Sequence, residues 1–229
     1  MNADDPDKET FNRQQTHWEN VYTKNQSMFG DDPSIPACKA AEIFKKENMT
    51  RVLELGAGQG RDTLFFAQNG FEVYSLDYSR PGVESIKRKA RESGLINCVK
   101  AVQHDVRKPL PFEDESFDAC FSHMLYCMPL TTSELESVSK EIRRVLRPGG
   151  INIFTTRHTG DPQYRTGIYR GEDMWEISGG FIVHFLSREK INQLSKGYQI
   201  IDIEEFEEGK IPGINKSRKL FKVAMRKKD

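Results

Sequence analysis

The stretch RVLELGAGQGRDTLFFAQNGFEVYSLD, residues 51–77, runs an apolar strand pattern into three closely spaced glycines and then into a second apolar run that ends on an acid. Gly56, Gly58 and Gly60 fall at a strand-to-helix turn. There the missing side chain lets backbone approach a ligand, and the helix N-terminus offers unpaired N–H groups. The arrangement predicts a nucleotide site. A dinucleotide fingerprint is G-x-G-x-x-G, whereas here the third glycine comes one residue early and Arg61 follows it. Glu54, two residues ahead of Gly56, would repel a pyrophosphate and attract a ligand bearing an ammonium or sulfonium group. No Gly-Lys-Ser/Thr step is present, which removes a P-loop.

Asp77 closes the second strand 21 residues beyond Gly56, where a carboxylate can accept both hydroxyls of a ribose. In VQHDVRKPLPF, residues 102–112, Asp105 is placed to accept from an adenine amino group and Val106 to offer a backbone N–H. A nucleoside at one end and an amino-acid-like cation at the other describe S-adenosyl-L-methionine.

Working outward, strands and helices alternate. ACKAAEIFKKEN (37–48) is an amphipathic helix leading into a strand over Arg51–Leu55, and Phe71–Leu76 is the next strand. Ser79 caps a helix that holds Pro81 in its first turn and stops at Ser93-Gly94. Asn97–Gln103 and SFDACFSH (116–123) are further strands; Ser133 and Glu136 form a capping box for ELESVSKEIRRVL, which ends at Arg147-Pro148-Gly149-Gly150 before the strand INIFTT. Ser187 caps a late helix, and YQIIDIEEF is joined to RKLFKVAMR by the turn-rich EEGKIPGINKS with no helix between them. The prediction is an α/β fold, a doubly wound, mostly parallel sheet with helices on both faces and one antiparallel strand near its edge. Residues 1–35 form an N-terminal arm outside this alternation, disordered over the first ten residues, and 36–229 form the domain proper.

Lys plus Arg and Asp plus Glu each number 34, so no global field favours nucleic acid or an anionic membrane. The four cysteines form no CxxC pair, which suggests free thiols in a reducing compartment, with no metal ligand set. No apolar run approaches a membrane span, and MNADDPDKET lacks the basic and then apolar order of a secretory leader. A cytoplasmic location is expected.

The ordered blocks ELGAGQG, LDYS, HDV, FDACFSH and RVLRPGG closely resemble the class I S-adenosylmethionine-dependent methyltransferases, over roughly Arg51 to Thr156. The resemblance implies a seven-stranded Rossmann-like sheet with an antiparallel last strand. It places the methionine part of the cofactor at Glu54, Gly56, Ala57, Gly58 and Gly60, the ribose at Asp77 and Tyr78, and the adenine at Asp105 and Val106. Ser122 and His123 fall near the transferred methyl. Within the family, GQGRDTLFFAQNG is similar to the small tellurite-resistance and thiol-type enzymes through its Gly-Arg-polar step.

Methyl transfer from a sulfonium is an in-line displacement that needs the nucleophile positioned and water excluded. A soft anion needs no base, whereas a hydroxyl or ammonium must lose a proton, and histidine is the usual helper. His123, at the carboxyl edge of the sheet, is the candidate base or orienting group. His158 and Arg157 in TTRHTGDPQYRTG are candidates for acceptor binding; His184 in GGFIVHFLS reads as a packed histidine. His17, Trp18, Tyr22 and Phe29 in the arm suit either a lid or a permanently packed segment. Cys127 approaches the same edge, while Cys38 and Cys98 have no reason to join it. The Asp/Asn-Pro-Pro-aromatic block that base-amino methyltransferases resemble one another in is replaced by SHMLYCMPL. The expected partner is therefore a small-molecule methyl acceptor, with an RNA or protein methyltransferase and a non-catalytic cofactor-binding module as alternatives.

Overall fold

The computed structural model describes residues 8–211, 213 and 216–228. Its centre is a seven-stranded sheet. The strands are β1 (Arg51–Leu55), β2 (Glu72–Asp77), β3 (Val99–Gln103), β4 (Phe117–His123), β5 (Leu146–Arg157), β9 (Tyr198–Lys210) and β10 (Ser217–Lys227), in the order β3-β2-β1-β4-β5-β10-β9. The first five pair in parallel, and β10 lies antiparallel between β5 and β9. The expected doubly wound sheet with its antiparallel strand one place from the edge is observed.

Helices α2 (Ile35–Lys46), α3 (Arg61–Gln68) and α4 (Arg80–Glu92) cover one face, and α5 (Thr132–Val145) and α6 (Arg188–Leu194) the other. Alternation along β1 divides its side chains accordingly: Val52 enters the core under α2 and α3, while Leu53 and Leu55 enter the core under α5. The helix starts follow side-chain chemistry. Ser79 Oγ accepts from Gly82 N and Ser187 Oγ from Lys190 N, as their positions predict. The capping box of α5 is corrected: Thr131 and Glu134, not Ser133 and Glu136, satisfy each other's backbone N–H groups at 3.2 and 2.8 Å. Helix α5 then passes directly into β5, which takes in the Arg147–Gly150 stop as strand.

Two elements lie outside the expected pattern. Residues Lys8–Lys24 form the helix α1, so the part of the disorder expectation covering residues 8–10 is corrected, and residues 1–7 lie outside the described residues. Between β5 and α6 the chain builds a separate three-stranded antiparallel sheet from β6 (Ile168–Tyr169), β7 (Met174–Ile177) and β8 (Phe181–His184). Both additions stand over the carboxyl edge of the main sheet. No described helix is long and apolar enough to cross a membrane.

Candidate active site

A cavity of about 550 Å³ opens at the carboxyl ends of β1 to β4, where the strand order reverses direction and open α/β sheets hold ligands. Its floor is the glycine turn. Gly56 N and Ala57 N both donate to Leu76 O, at 2.8 and 3.2 Å, so the turn hangs from the end of β2. Gly58 N donates to Asp77 Oδ2 at 2.8 Å and Ser79 N to Oδ1 at 2.8 Å. The glycine at position 60 is required: its φ is +87°, and a Cβ there would stand 2.6 Å from Ile86 Cγ1 of α4. Close packing of α4 on the turn thus fixes the early third glycine seen in the sequence. Gly60 shapes the floor without lining the cavity, whereas Gly56, Ala57 and Gly58 line it.

At one end of the floor two acids are buried together. Glu54 accepts a short hydrogen bond from Thr63 Oγ1, and Asp62 accepts Ser34 N and Oγ at 2.7 and 2.8 Å, joining α3 to the cap of α2. Burial, and then repulsion from Asp62, raise the Glu54 carboxyl well above its ordinary value. The nearest guanidinium, Arg61 Nε, is 3.9 Å from Asp62 Oδ1 and rests over the Phe29 ring. No cation is hydrogen-bonded to Glu54 among the described residues. Asp77 is also buried, and desolvation pushes its carboxyl up to about 6 despite the two backbone N–H donors.

Tyr78, Asp105 and Val106 line the far end. The Asp105 carboxylate is held by Arg107 through Nε at 3.0 Å and Nη2 at 2.6 Å, so Arg107 joins this wall as a residue the sequence reading passed over. Helix α1 forms the roof. Gln14 Nε2 donates to Gly180 O at 2.9 Å and Gln59 Nε2 to Asn25 O at 2.7 Å, tying the roof to the small sheet and to the glycine turn. Trp18 meets Tyr22, Phe29 and Phe181 at centroid distances of 5.4, 6.2 and 5.6 Å. The Tyr22 hydroxyl reaches the glycine turn, 3.0 Å from where a Cβ on Gly58 would be.

The candidates beyond the cofactor residues separate. His123 lines the cavity, with Nδ1 2.8 Å from Thr155 Oγ1 and Nε2 3.3 Å from Glu208 Oε2. Ser122 is fully buried in β4, its Oγ has no hydrogen-bond partner, and it does not line the cavity. Alternation explains this, because consecutive β4 residues face opposite sides. Arg157 lines the cavity, yet its guanidinium is committed to Asp161 in a buried pair and to Gln163 Oε1 at 2.8 Å. His158 lies outside the cavity, stacked on Phe221 at 4.4 Å with Nδ1 accepting Gly160 N at 3.0 Å. His184 is buried, its Nδ1 2.8 Å from Leu130 O, and burial depresses its pKa to about 4. Burial pushes the Cys127 thiol up to about 11, and among the described residues no three His, Cys, Asp or Glu side chains could jointly hold a metal ion. Glu208 and Arg218, from β9 and β10, line the cavity, although the sequence places Glu208 in the turn-rich EEGKIPGINKS and Arg218 at the start of RKLFKVAMR.

A family model described as a methyltransferase domain matches residues 52–150. The malonyl-[acyl-carrier protein] O-methyltransferase of Salmonella typhimurium is 32% identical over 152 residues, covering 65% of this chain and 53% of that protein. The sarcosine/dimethylglycine N-methyltransferase of Aphanothece halophytica is 33% identical over 107 residues, 46% of this chain and 37% of that protein. The chain thus spans about half the length, or less, of these two relatives. Among solved structures, a 1,6-didemethyltoxoflavin-N1-methyltransferase from Burkholderia thailandensis, with 1,6-didemethyltoxoflavin and S-adenosylhomocysteine bound, superposes with a TM-score of 0.72 at 18% identity, covering 100% of this chain and 93% of that one.

Proposed function

We propose that the chain, whose residues 52–150 match a methyltransferase-domain model, is a class I S-adenosylmethionine-dependent methyltransferase that transfers the sulfonium methyl to a small-molecule acceptor. The observation that carries the reading is the pair of buried acids at the glycine turn. A carboxylate as buried as Glu54 is costly without a counter-ion. A ligand that brings an ammonium beside Glu54 and Asp62 relieves that cost, and an anionic pyrophosphate would add to it. Arg61, at the same end, meets the methionine carboxylate. Asp77 keeps carboxylate lone pairs for the ribose hydroxyls, and Asp105 and Val106 face the adenine.

The acceptor enters between the roof and the ends of β4, β9 and β10, beside His123. Trp18 and Phe181 exclude water above it, which suits a displacement in which charge disperses at the sulfonium. The relatives' names include an O-methyltransferase and an N-methyltransferase, so the acceptor atom is set by this second half of the cavity rather than by the shared turn. Helix α1 is the lid of this site, since it borders the cavity without belonging to the sheet.

The test is calorimetric titration of the purified protein with S-adenosylhomocysteine and with NAD, followed by a product-release assay on thiols, amines, phenols, carboxylic acids and total RNA. The reading requires S-adenosylhomocysteine to bind, NAD not to, and turnover on a small molecule. Turnover confined to RNA would replace the small-molecule acceptor, and binding without turnover on any of them would favour a regulatory module.

A further inference from the structure

The acceptor half of the cavity holds more charge than the cofactor half explains. Four basic or titratable side chains line it: His123, Arg157, Glu208 and Arg218. Arg157 is neutralised by Asp161, both side chains being buried. Glu208 is engaged by His123 at 3.3 Å. Arg218 stands opposite Glu208 across the β9–β10 ladder and its charge helps hold that carboxyl below the ordinary range, yet among the described residues its guanidinium makes no hydrogen bond and no ion pair within 4 Å.

Local structure aims this guanidinium into the cavity. The β9–β10 register shifts between Ser217, paired with Lys210, and Arg218, paired with Glu208, so Gly209 is the extra residue on β9 beside Arg218. Gly209, with φ at +56°, lies beneath it, and a Cβ at that position would come within 3.0 Å of Arg218 Nη1. The bare glycine leaves room for the guanidinium, which a side chain there would crowd. Met124, Leu125, Met128 and Phe181 line the same cavity and offer apolar surface for the rest of the acceptor.

We infer that Arg218 anchors an anionic oxygen group, a carboxylate or a phosphate, on an acceptor whose body is apolar. This rests on the methyl-transfer reading, which supplies the cofactor that fills the other half. A planar guanidinium with a free edge matches either group through paired hydrogen bonds.

The experiment uses the full chain saturated with S-adenosylhomocysteine and titrates it with octanoate, salicylate and phenyl phosphate, each beside an uncharged counterpart: octanamide, salicylamide and phenol. At least one anion is expected to bind about tenfold or more tightly than its counterpart. In Arg218→Gln that anion should bind roughly ten- to a hundredfold more weakly, with Arg218→Lys in between and S-adenosylhomocysteine affinity preserved. Preserved cofactor affinity shows that the variants fold. Counterparts binding as well as anions, an Arg218→Gln variant that binds the anion as the parent does, or no anion bound at all would each overturn the assignment. Failure of S-adenosylhomocysteine itself to bind the parent protein would instead remove the cofactor reading, and that is seen before any acceptor is added. Preference for phenyl phosphate or for the two carboxylates says which anion the site is built for.

Discussion

Glu208 Oε2 on β9 lies 3.3 Å from His123 Nε2 at the end of β4, although β5 and β10 separate the two strands in the sheet. The long β9–β10 ribbon reaches over the carboxyl edge to make this contact. Thr155 Oγ1 accepts Met124 N at 3.0 Å, so its own proton is free for His123 Nδ1 at 2.8 Å. That network assigns the remaining ring proton to Nε2, which donates to Glu208. In this arrangement His123 turns no free lone pair toward the cavity, and its role is to hold Glu208.

Replacing His123 with Ala should therefore leave S-adenosylhomocysteine affinity within about twofold while cutting turnover on the true acceptor about tenfold or more. The readout that separates holding from packing is Glu208 itself. Burial pushes its carboxyl up, but the His123 hydrogen bond and the positive charge around it prevail and keep it below the ordinary range. In His123→Ala a carbon-detected NMR titration should show this carboxyl moving upward. Unchanged turnover and an unmoved Glu208 would leave the pair without a part in the reaction.

Cofactor binding should depend on pH with a definite sign. Asp77 titrates near 6 in the free protein and Glu54 is raised as well, so acid protonates the groups that must be ionised to meet the ribose hydroxyls and the ammonium. Affinity for S-adenosylhomocysteine should be greatest above about pH 7 and fall as pH drops through 6, by up to about tenfold per pH unit for each proton that must leave. Calorimetry in buffers of different ionisation enthalpy should register proton release below pH 7. A flat profile from pH 5 to 8 would remove both carboxylates from the contact. Asp77→Ala at pH 7.5 should weaken binding by about 1.5–3 kcal/mol.

Much of the site was legible because local chemistry and tertiary packing agree there. The Ser79 and Ser187 caps, the start and end of β1, and the Glu54 and Asp77 positions follow from spacing alone. The small sheet was missed although the Ser178-Gly179-Gly180 turn between two alternating apolar segments is a hairpin signal; both glycines take positive φ, +79° and +76°. Helix α1 was missed because its inward side is Gln14, Trp18 and Tyr22 in an otherwise polar segment. A helix that covers a cavity rather than a core needs few apolar residues. Glu208 and Arg218 were hidden by register: only the long β9–β10 pairing shows that the turn-rich EEGKIPGINKS and the start of RKLFKVAMR reach the cavity.

The tight third glycine makes a stability prediction. In Gly60→Ala the φ of +87° and the clash with Ile86 combine, and the cost should be about 2–4 kcal/mol in denaturant unfolding. Gly94, at φ +70° with nothing within 4 Å of an added Cβ, is the control, and Gly94→Ala should cost about 1–2 kcal/mol from backbone strain alone. The double variant Gly60→Ala with Ile86→Ala, which removes the clashing Cγ1, should cost less than the sum of its parts. Strict additivity would mean that α4 does not set the glycine requirement.

The roof should be the first part of the molecule to open. Helix α1 is held at its small-sheet side by Gln14, through Gly180 O at 2.9 Å and Ile182 N at 3.3 Å, and at its far end by the Trp18 cluster. The strands beneath it are locked by continuous ladders, so opening α1 costs far less than unfolding the domain. Trp18→Ala removes one aromatic wall from the cavity and should speed release of S-adenosylhomocysteine by roughly five- to thirtyfold, with a smaller change in its association rate. Amide hydrogen exchange should show α1 poorly protected alone and slowed when S-adenosylhomocysteine binds, while β1 and β4 stay protected in both states. If α1 exchanges as slowly as β1 without ligand, the helix is a fixed wall rather than a lid, and Trp18→Ala should then act on stability instead of on release.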